Sequence, residues 1–197
     1  MKVIGITGGV GSGKSEVLKL IENMCKCIIV RSDELAKSLE AKGEICYAPL
    51  INLLGDNILD DDGEIVPHKM AKAIFESGNT EVLDSVNNII HPRVKERILQ
   101  MIDDEKCKRT VDYFFIEAAL LIEDHYDLIC DELWYIYADE DVRRQRLKDT
   151  RGYSDAKIDS IMASQLDEET FRKYCINVID NSGTIDNTRK QLNGLIL

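Results

Sequence analysis

Lys2-Val3-Ile4-Gly5-Ile6-Thr7 runs straight into Gly8-Gly9-Val10-Gly11-Ser12-Gly13-Lys14-Ser15, and the reading of this stretch decides the fold. Its first half is a short apolar run of β type. Its second half is a complete G-x-x-x-x-G-K-[ST] phosphate loop. Val17, Leu18, Ile21 and Met24 then recur at helical spacing, which predicts a helix from Ser15 to about Cys25. In a strand–loop–helix context the glycines let several backbone N–H groups turn toward one phosphate, and the positive end of the helix dipole adds to the attraction. Lys14 is expected at the terminal phosphates and Ser15 on a magnesium ion, which takes few protein oxygens and fills its shell from water and phosphate. Gly9, Val10, Gly11, Ser12, Gly13, Lys14, Ser15 and Glu16 are the candidate nucleotide-binding residues; Glu16 itself is not expected to touch magnesium.

Four further apolar runs continue the pattern: Cys27 to Val30, Tyr113 to Ile116, Leu133 to Tyr137 and Ile176 to Ile179. Continuous apolar runs are expected of parallel strands covered on both faces, so five buried strands alternating with helices predict a doubly wound α/β sheet. About eighty residues with helical periodicity separate the second and third strands, more than one crossover helix needs. This is read as an inserted helical region. Val94, Ile98, Met101 and Ile102 give its last helix an apolar face, with Pro92 at the first-turn position. Asp60-Asp61-Asp62-Gly63 reads as a solvated acidic turn, because Ile58 stands where a calcium loop needs its first ligand.

With 44% hydrophobic and 31% charged residues, the 197-residue chain fits one domain with an insertion. A formal net charge of -11 argues against a surface for nucleic-acid backbone, so nucleotide phosphates must be met by local cations. The cysteines at 25, 27, 46, 107, 130 and 175 show no paired C-x-x-C spacing and read as reduced thiols. No apolar run approaches a membrane span. A cytoplasmic protein, without membrane or nucleic-acid partners and monomeric or weakly oligomeric, is expected.

From Asp139 to Tyr174 the chain is polar, helical and rich in arginine: Arg143, Arg144, Arg146, Arg151 and Arg172. Asp139 suits an N-cap, and Gly152-Tyr153-Ser154 divides the segment into two helices with Ser154 capping the second. The arginines fit either a solvated face or a lid that brings cations to a transferred phosphoryl group. Asp33 stands just past the second strand, at the edge that carries the phosphate loop. It is a candidate base for an attacking alcohol or an N-cap for the helix Glu34 to Leu39. Glu117 ends the third strand and is a candidate for orienting a metal-bound water or the acceptor. His91-Pro92 opens a helix, where the histidine either contacts an acceptor phosphate or caps the turn.

The ordered set of motifs resembles the dephospho-CoA kinase family over nearly the whole chain. The residues that carry the likeness are Thr7 to Ser15, Asp33, Asp62-Gly63 with Ile74-Phe75, and Asn87 ahead of His91-Pro92. Beyond them come Leu120-Leu121-Ile122-Glu123, the arginine-rich segment, Gln165 and Val178-Ile179-Asp180-Asn181. The resemblance implies a P-loop kinase-like three-layer α/β sandwich with a five-stranded parallel sheet, a helical substrate-binding insertion and a helical lid. It divides the chain into a core of 1–35, 108–138 and 175–197, a CoA-binding insertion of 36–107 and a lid of 139–174. It implies ATP with Mg2+, dephospho-CoA as acceptor through its ribose 3′-hydroxyl, and Asp33 with Lys14 as catalytic residues. It also implies ATP contacts from Arg144, Arg146, Arg151 and Asn181, the last near adenine, and acceptor contacts from Asp33, His91, Pro92, Glu117 and Leu120. Arg31-Ser32-Asp33 stands where such kinases commonly read Asp-Ala-Asp, leaving one acid. A different nucleoside or nucleotide kinase, or a nucleotide-binding switch, remains the alternative.

Overall fold

The computed structural model describes residues 1–76 and 80–196. Its chain runs β1 (Lys2–Thr7), α1 (Lys14–Glu22), β2 (Cys27–Arg31), α2 (Ser32–Leu39), α3 (Tyr47–Leu54), α4 (Pro67–Glu76) and α5 (Thr80–Lys108). There follow β3 (Tyr113–Glu117), β4 (Glu132–Tyr137), α6 (Glu140–Arg151), α7 (Asp155–Ala163), α8 (Glu168–Tyr174), β5 (Asn177–Asp180) and α9 (Ile185–Asn193). The strands form the expected five-stranded parallel sheet, in the order β2-β3-β1-β4-β5. Because β1 lies between β3 and β4, the loop that follows it opens at the carboxyl edge where the strand order reverses, the ligand position of open α/β sheets.

The chain divides into two compact units, Met1–Val30 with Glu105–Leu197, and Arg31–Asp104. In the first, Ile4 and Ile6 point to one sheet face. There they join Phe115, Trp134, Ile136 and Ile179 in a core closed by Val17, Leu18 and Ile21 of α1 and Leu192 of α9. Side chains alternate along a strand, so Leu133 and Tyr135 lie on the opposite face, where Phe171 of α8 stacks on Tyr135 at 4.7 Å between ring centroids. Helical cover on both faces explains why β1 and β4 are apolar without alternation. β2 departs from that expectation. Only Val30 of Cys27–Arg31 is fully buried, because β2 is an edge strand. β5 begins at Asn177, and Ile176, assigned to it from its apolar character, is 73% exposed.

The second unit is helical, as its periodicity predicted. Its longest helix differs from expectation: α5 runs through Pro92 instead of starting there. Val86, Ile90, Val94, Ile98 and Ile102 continue one buried stripe at four-residue intervals across the proline. Burial of that stripe outweighs the one backbone hydrogen bond that proline removes. The acidic turn closes on itself, with Asp60 Oδ1 accepting from the N–H groups of Asp62 at 3.0 Å and Glu64 at 2.8 Å. A single antiparallel bridge joins Leu59 to Ile65 around it.

The segment 139–174 belongs to the first unit and holds three helices, where two were expected. Ser154 does cap α7, accepting from Lys157 N–H, and Asp167 caps α8 by accepting from Thr170 N–H at 2.8 Å. Asp139 occupies the N-cap position of α6, yet its carboxylate accepts from the Tyr137 hydroxyl at 2.7 Å and caps nothing. That hydrogen bond, followed by partial burial, pushes the Tyr137 phenol up to about 12.

Candidate active site

Gly13 is the N-cap of α1 and sits in the left-handed region at φ 87, where a side chain is strained. A Cβ there would also collide with the amide of Asn181. Glu16 and Val17 N–H groups return to the Gly13 carbonyl at 3.0 and 3.1 Å, and Ser12 N–H to the Gly9 carbonyl at 3.2 Å. The N–H groups of Gly11, Gly13 and Ser15 donate to no acceptor among the described residues. Donors left open around one concave loop at a helix N-terminus form an anion cradle. The Lys14 ammonium spans the same loop, donating to the Gly8 carbonyl at 2.8 Å.

The loop owes its shape to side chains from distant elements of the same unit. Arg143 of α6 donates through Nε to the Val10 carbonyl at 2.9 Å and through Nη2 to Gln165 Oε1 at 2.9 Å. Gln165 Oε1 accepts the Val10 N–H as well, at 3.1 Å. The absent side chain of Gly9 leaves room for that guanidinium. Burial holds the Arg143 guanidinium below its ordinary pKa, and no carboxylate forms an ion pair with it among the described residues. One turn along α6, Arg146 Nη1 donates to the Ser12 carbonyl at 3.2 Å and Nη2 to the Asn181 carbonyl at 2.8 Å. Asn181 in turn donates from Nδ2 to the Ser12 carbonyl at 2.8 Å.

The turn that presents Asn181 is braced by α9, where Gln191 accepts from Asp180 N–H at 2.9 Å and donates to its carbonyl at 2.8 Å.

Arg146 and Asn181, named from sequence, thus meet the loop. Arg144 makes no hydrogen bond to it: its guanidinium is held by Glu140 at 2.8 Å, Asp159 at 2.7 Å and Asp155 at 3.5 Å. These acids push the Arg144 pKa further up, the Glu140 hydrogen bond foremost. Arg151 ends α6, exposed, with its guanidinium 5.9 Å from the Tyr153 ring centre. Glu117 is the half-buried last residue of β3, and Leu120 lies 43% exposed in the turns that follow.

Asp33, His91 and Pro92 belong to the second unit. α2 begins at Ser32 with Arg31 in the N-cap position, so the alternative of Asp33 as N-cap of a helix from Glu34 does not hold. Asp33 is exposed in the first turn, and its carboxylate accepts no hydrogen bond among the described residues. His91 is half-buried and Pro92 exposed, both in mid-helix, so neither caps a turn.

Arg143, Gln165 and Thr188 were not among the sequence-derived site residues. Arg143 could have been found: it lies three residues before Arg146 and shares its helix face. Gln165 was visible only as a family marker, and Thr188 carried no signal. For magnesium, the donor set fits. Ser15 is exposed in the first turn of α1 and its hydroxyl has no hydrogen-bond partner among the described residues. A hard cation that keeps its waters needs little more from protein when a nucleotide brings phosphate oxygens.

Comparison with known proteins agrees with this architecture. A family model described as dephospho-CoA kinase matches residues 2–187. The dephospho-CoA kinase of Carboxydothermus hydrogenoformans is 34% identical over 192 residues, covering 98% of this chain and 91% of that protein. That of Streptococcus mutans is 33% identical, covering 97% and 94%. The solved structure of dephospho-CoA kinase from Campylobacter jejuni superposes with a TM-score of 0.73 at 20% identity over 100% of this chain and 96% of that one, which bears on the fold. A family model spanning nearly the whole length, with relatives above 30% identity end to end, places this chain in the dephospho-CoA kinase family.

Proposed function

We propose that this chain transfers the γ-phosphoryl group of ATP to the ribose 3′-hydroxyl of dephospho-CoA, giving coenzyme A and ADP. The family match over residues 2–187 carries the choice of acceptor, and the loop with open N–H groups at Gly11, Gly13 and Ser15 supports nucleotide binding. The cradle residues Gly9 to Glu16 bind the phosphates, with Lys14 at the terminal ones. Arg143, Arg146 and Asn181 hold the loop from outside, Asn181 standing near the adenine. Magnesium, held by Ser15 and phosphate oxygens, supplies neutralising charge for the transferring group. Asp33 accepts the 3′-hydroxyl proton as the oxygen attacks phosphorus and the bond to the ADP oxygen breaks.

The helical insertion 36–107 recognises the CoA moiety, with His91 and Pro92 as contacts, and Glu117 and Leu120 flank the acceptor. The segment 139–174 acts as the lid and excludes water as a competing acceptor. Within it Arg144 is committed to three carboxylates, which leaves Arg151 as the cation better able to reach the transferred phosphoryl group. The protein works in the cytoplasm, without membrane or nucleic-acid partners.

A coupled assay of ADP release, with dephospho-CoA, adenosine and nucleoside monophosphates offered separately, tests the reading. Turnover with dephospho-CoA, and product phosphorylated at the 3′ position by mass and NMR, is the expected result. Turnover confined to a nucleoside or nucleoside monophosphate would overturn the acceptor assignment, and ATP binding without transfer to any acceptor would overturn the kinase.

A further inference from the structure

Thr188 lies on α9, outside the phosphate loop, the arginine-rich segment and every other motif of the chain, and it is fully buried. Its hydroxyl donates to Asn181 Oδ1 at 2.9 Å; the Thr184 carbonyl, at 3.5 Å, is a poorer acceptor. Asn181 is itself 1% exposed and directs Nδ2 at the Ser12 carbonyl, 2.8 Å away. A carboxamide accepts at one end and donates at the other. A hydroxyl proton fixed on Oδ1 therefore decides that the donor end faces Ser12.

The consequence reaches the cradle through one peptide plane. Peptide C=O and N–H groups point in opposite directions across a trans bond, and no cis peptide bond occurs among the described residues. With the Ser12 carbonyl drawn outward by Asn181 and Arg146, the Gly13 N–H points the other way and keeps its open donor position. Were the amide reversed, Oδ1 would oppose the Ser12 carbonyl oxygen and repel it. The Thr188 hydroxyl would then have to give its proton to the more distant Thr184 carbonyl.

We infer that Thr188 is a positioning residue for nucleotide binding: it orients the Asn181 amide, which sets the Ser12–Gly13 peptide so that the Gly13 N–H faces a bound phosphate. This rests on the reading of the loop as the nucleotide site. It does not depend on which acceptor receives the phosphoryl group.

Thr188→Val, which keeps the shape and removes the hydroxyl, and Thr188→Ser, which keeps the hydroxyl and removes the methyl, test it together. ADP affinity is measured by calorimetry on the full chain, and KM for ATP and for dephospho-CoA with kcat by the coupled assay. Thr188→Val is expected to weaken ADP binding and raise KM for ATP by about tenfold, whereas Thr188→Ser changes either by less than about twofold. KM for dephospho-CoA stays unchanged in both. ADP affinity of Thr188→Val equal to that of the parent, or a Thr188→Ser variant as impaired as Thr188→Val, would overturn the inference, the latter by showing that methyl packing is what matters.

If Thr188→Val melts below the assay temperature, Asn181→Asp carries the same readout. It keeps the acceptor that Thr188 needs and sets an oxygen against the Ser12 carbonyl, so undiminished ADP affinity there also overturns the inference. Because ADP binding needs no turnover, a wrong acceptor assignment shows separately, as absent product with the ADP effects intact.

Discussion

Arg143 and Val10 are joined on both sides of the valine: the guanidinium Nε holds its carbonyl at 2.9 Å, while the Gln165 oxygen that takes the valine N–H also takes Arg143 Nη2. A cation in an acidic chain is here spent on the backbone of the loop. Its job is to hold donors in place before a nucleotide arrives, which lowers the ordering cost of binding.

Arg143→Ala removes both hydrogen bonds and is expected to weaken ATP and ADP binding by about tenfold to a hundredfold, the scale of hydrogen bonds from a charged group. Arg143→Lys should not restore it, since a point charge cannot present two N–H groups in fork geometry to Val10 and Gln165. Calorimetric titration with ADP checks both. A lysine variant with parental affinity would mean that charge, not geometry, is what the loop requires.

Asp33→Asn keeps the size of the side chain and removes its basicity. Turnover should fall by on the order of 10² to 10⁴, the usual contribution of a general base, with KM for ATP nearly unchanged. Single-turnover measurement with saturating dephospho-CoA separates this from slow product release. Unaltered turnover would take Asp33 out of the proton-accepting role.

Arg144 and Arg151 sit on the same helix in different company. Arg144 is tied to Glu140, Asp155 and Asp159 and braces α6 against α7, whereas Arg151 is exposed. Arg151→Ala is expected to lower kcat by on the order of 10³, the lower end for a transition-state arginine. Arg144→Ala should chiefly lower the melting temperature. The opposite pattern, with Arg144 essential to kcat, would show that its carboxylates release it when substrates bind.

Acid sensitivity has an identifiable source outside the site. Glu105 accepts from Lys108 Nζ and from the Thr110 hydroxyl, both at 2.7 Å, and these hydrogen bonds, that of Lys108 foremost, hold its carboxyl below the ordinary range. In the unfolded chain the same group protonates first as pH falls, near ~4.3. Its stabilisation is therefore complete above that pH and disappears as pH drops through the lower folded value. Glu105→Gln should lower the melting temperature at neutral pH and flatten its decline in acid. Parallel melting curves from pH 7 to pH 3 for parent and variant would refute the assignment.

The apolar runs and the motif from Gly8 to Ser15 were enough to establish a parallel α/β sheet with a phosphate loop, because strand burial and glycine conformations are local demands that residue types express directly. Boundaries that depended on partners were less legible. β2 reads like a covered strand but lies at an edge, and Pro92 reads like a helix start but lies inside α5, carried by a buried stripe that extends to both sides of it.

Of the residues seen at the loop, sequence named Lys14 and Ser15 through the phosphate-loop motif, and Arg146 and Asn181 through the family resemblance. It could not assign the parts played by Arg143, Gln165 and Thr188, nor see that Arg144 is already engaged. Those roles come from hydrogen bonds that join α6, the α7–α8 connection and the Asn181 turn, itself bonded by Thr188 of α9, to the loop, across separations of up to 169 residues. A short-range pattern reports what a backbone segment prefers; which carbonyl a distant guanidinium or hydroxyl meets is determined only once the sheet has brought those segments together.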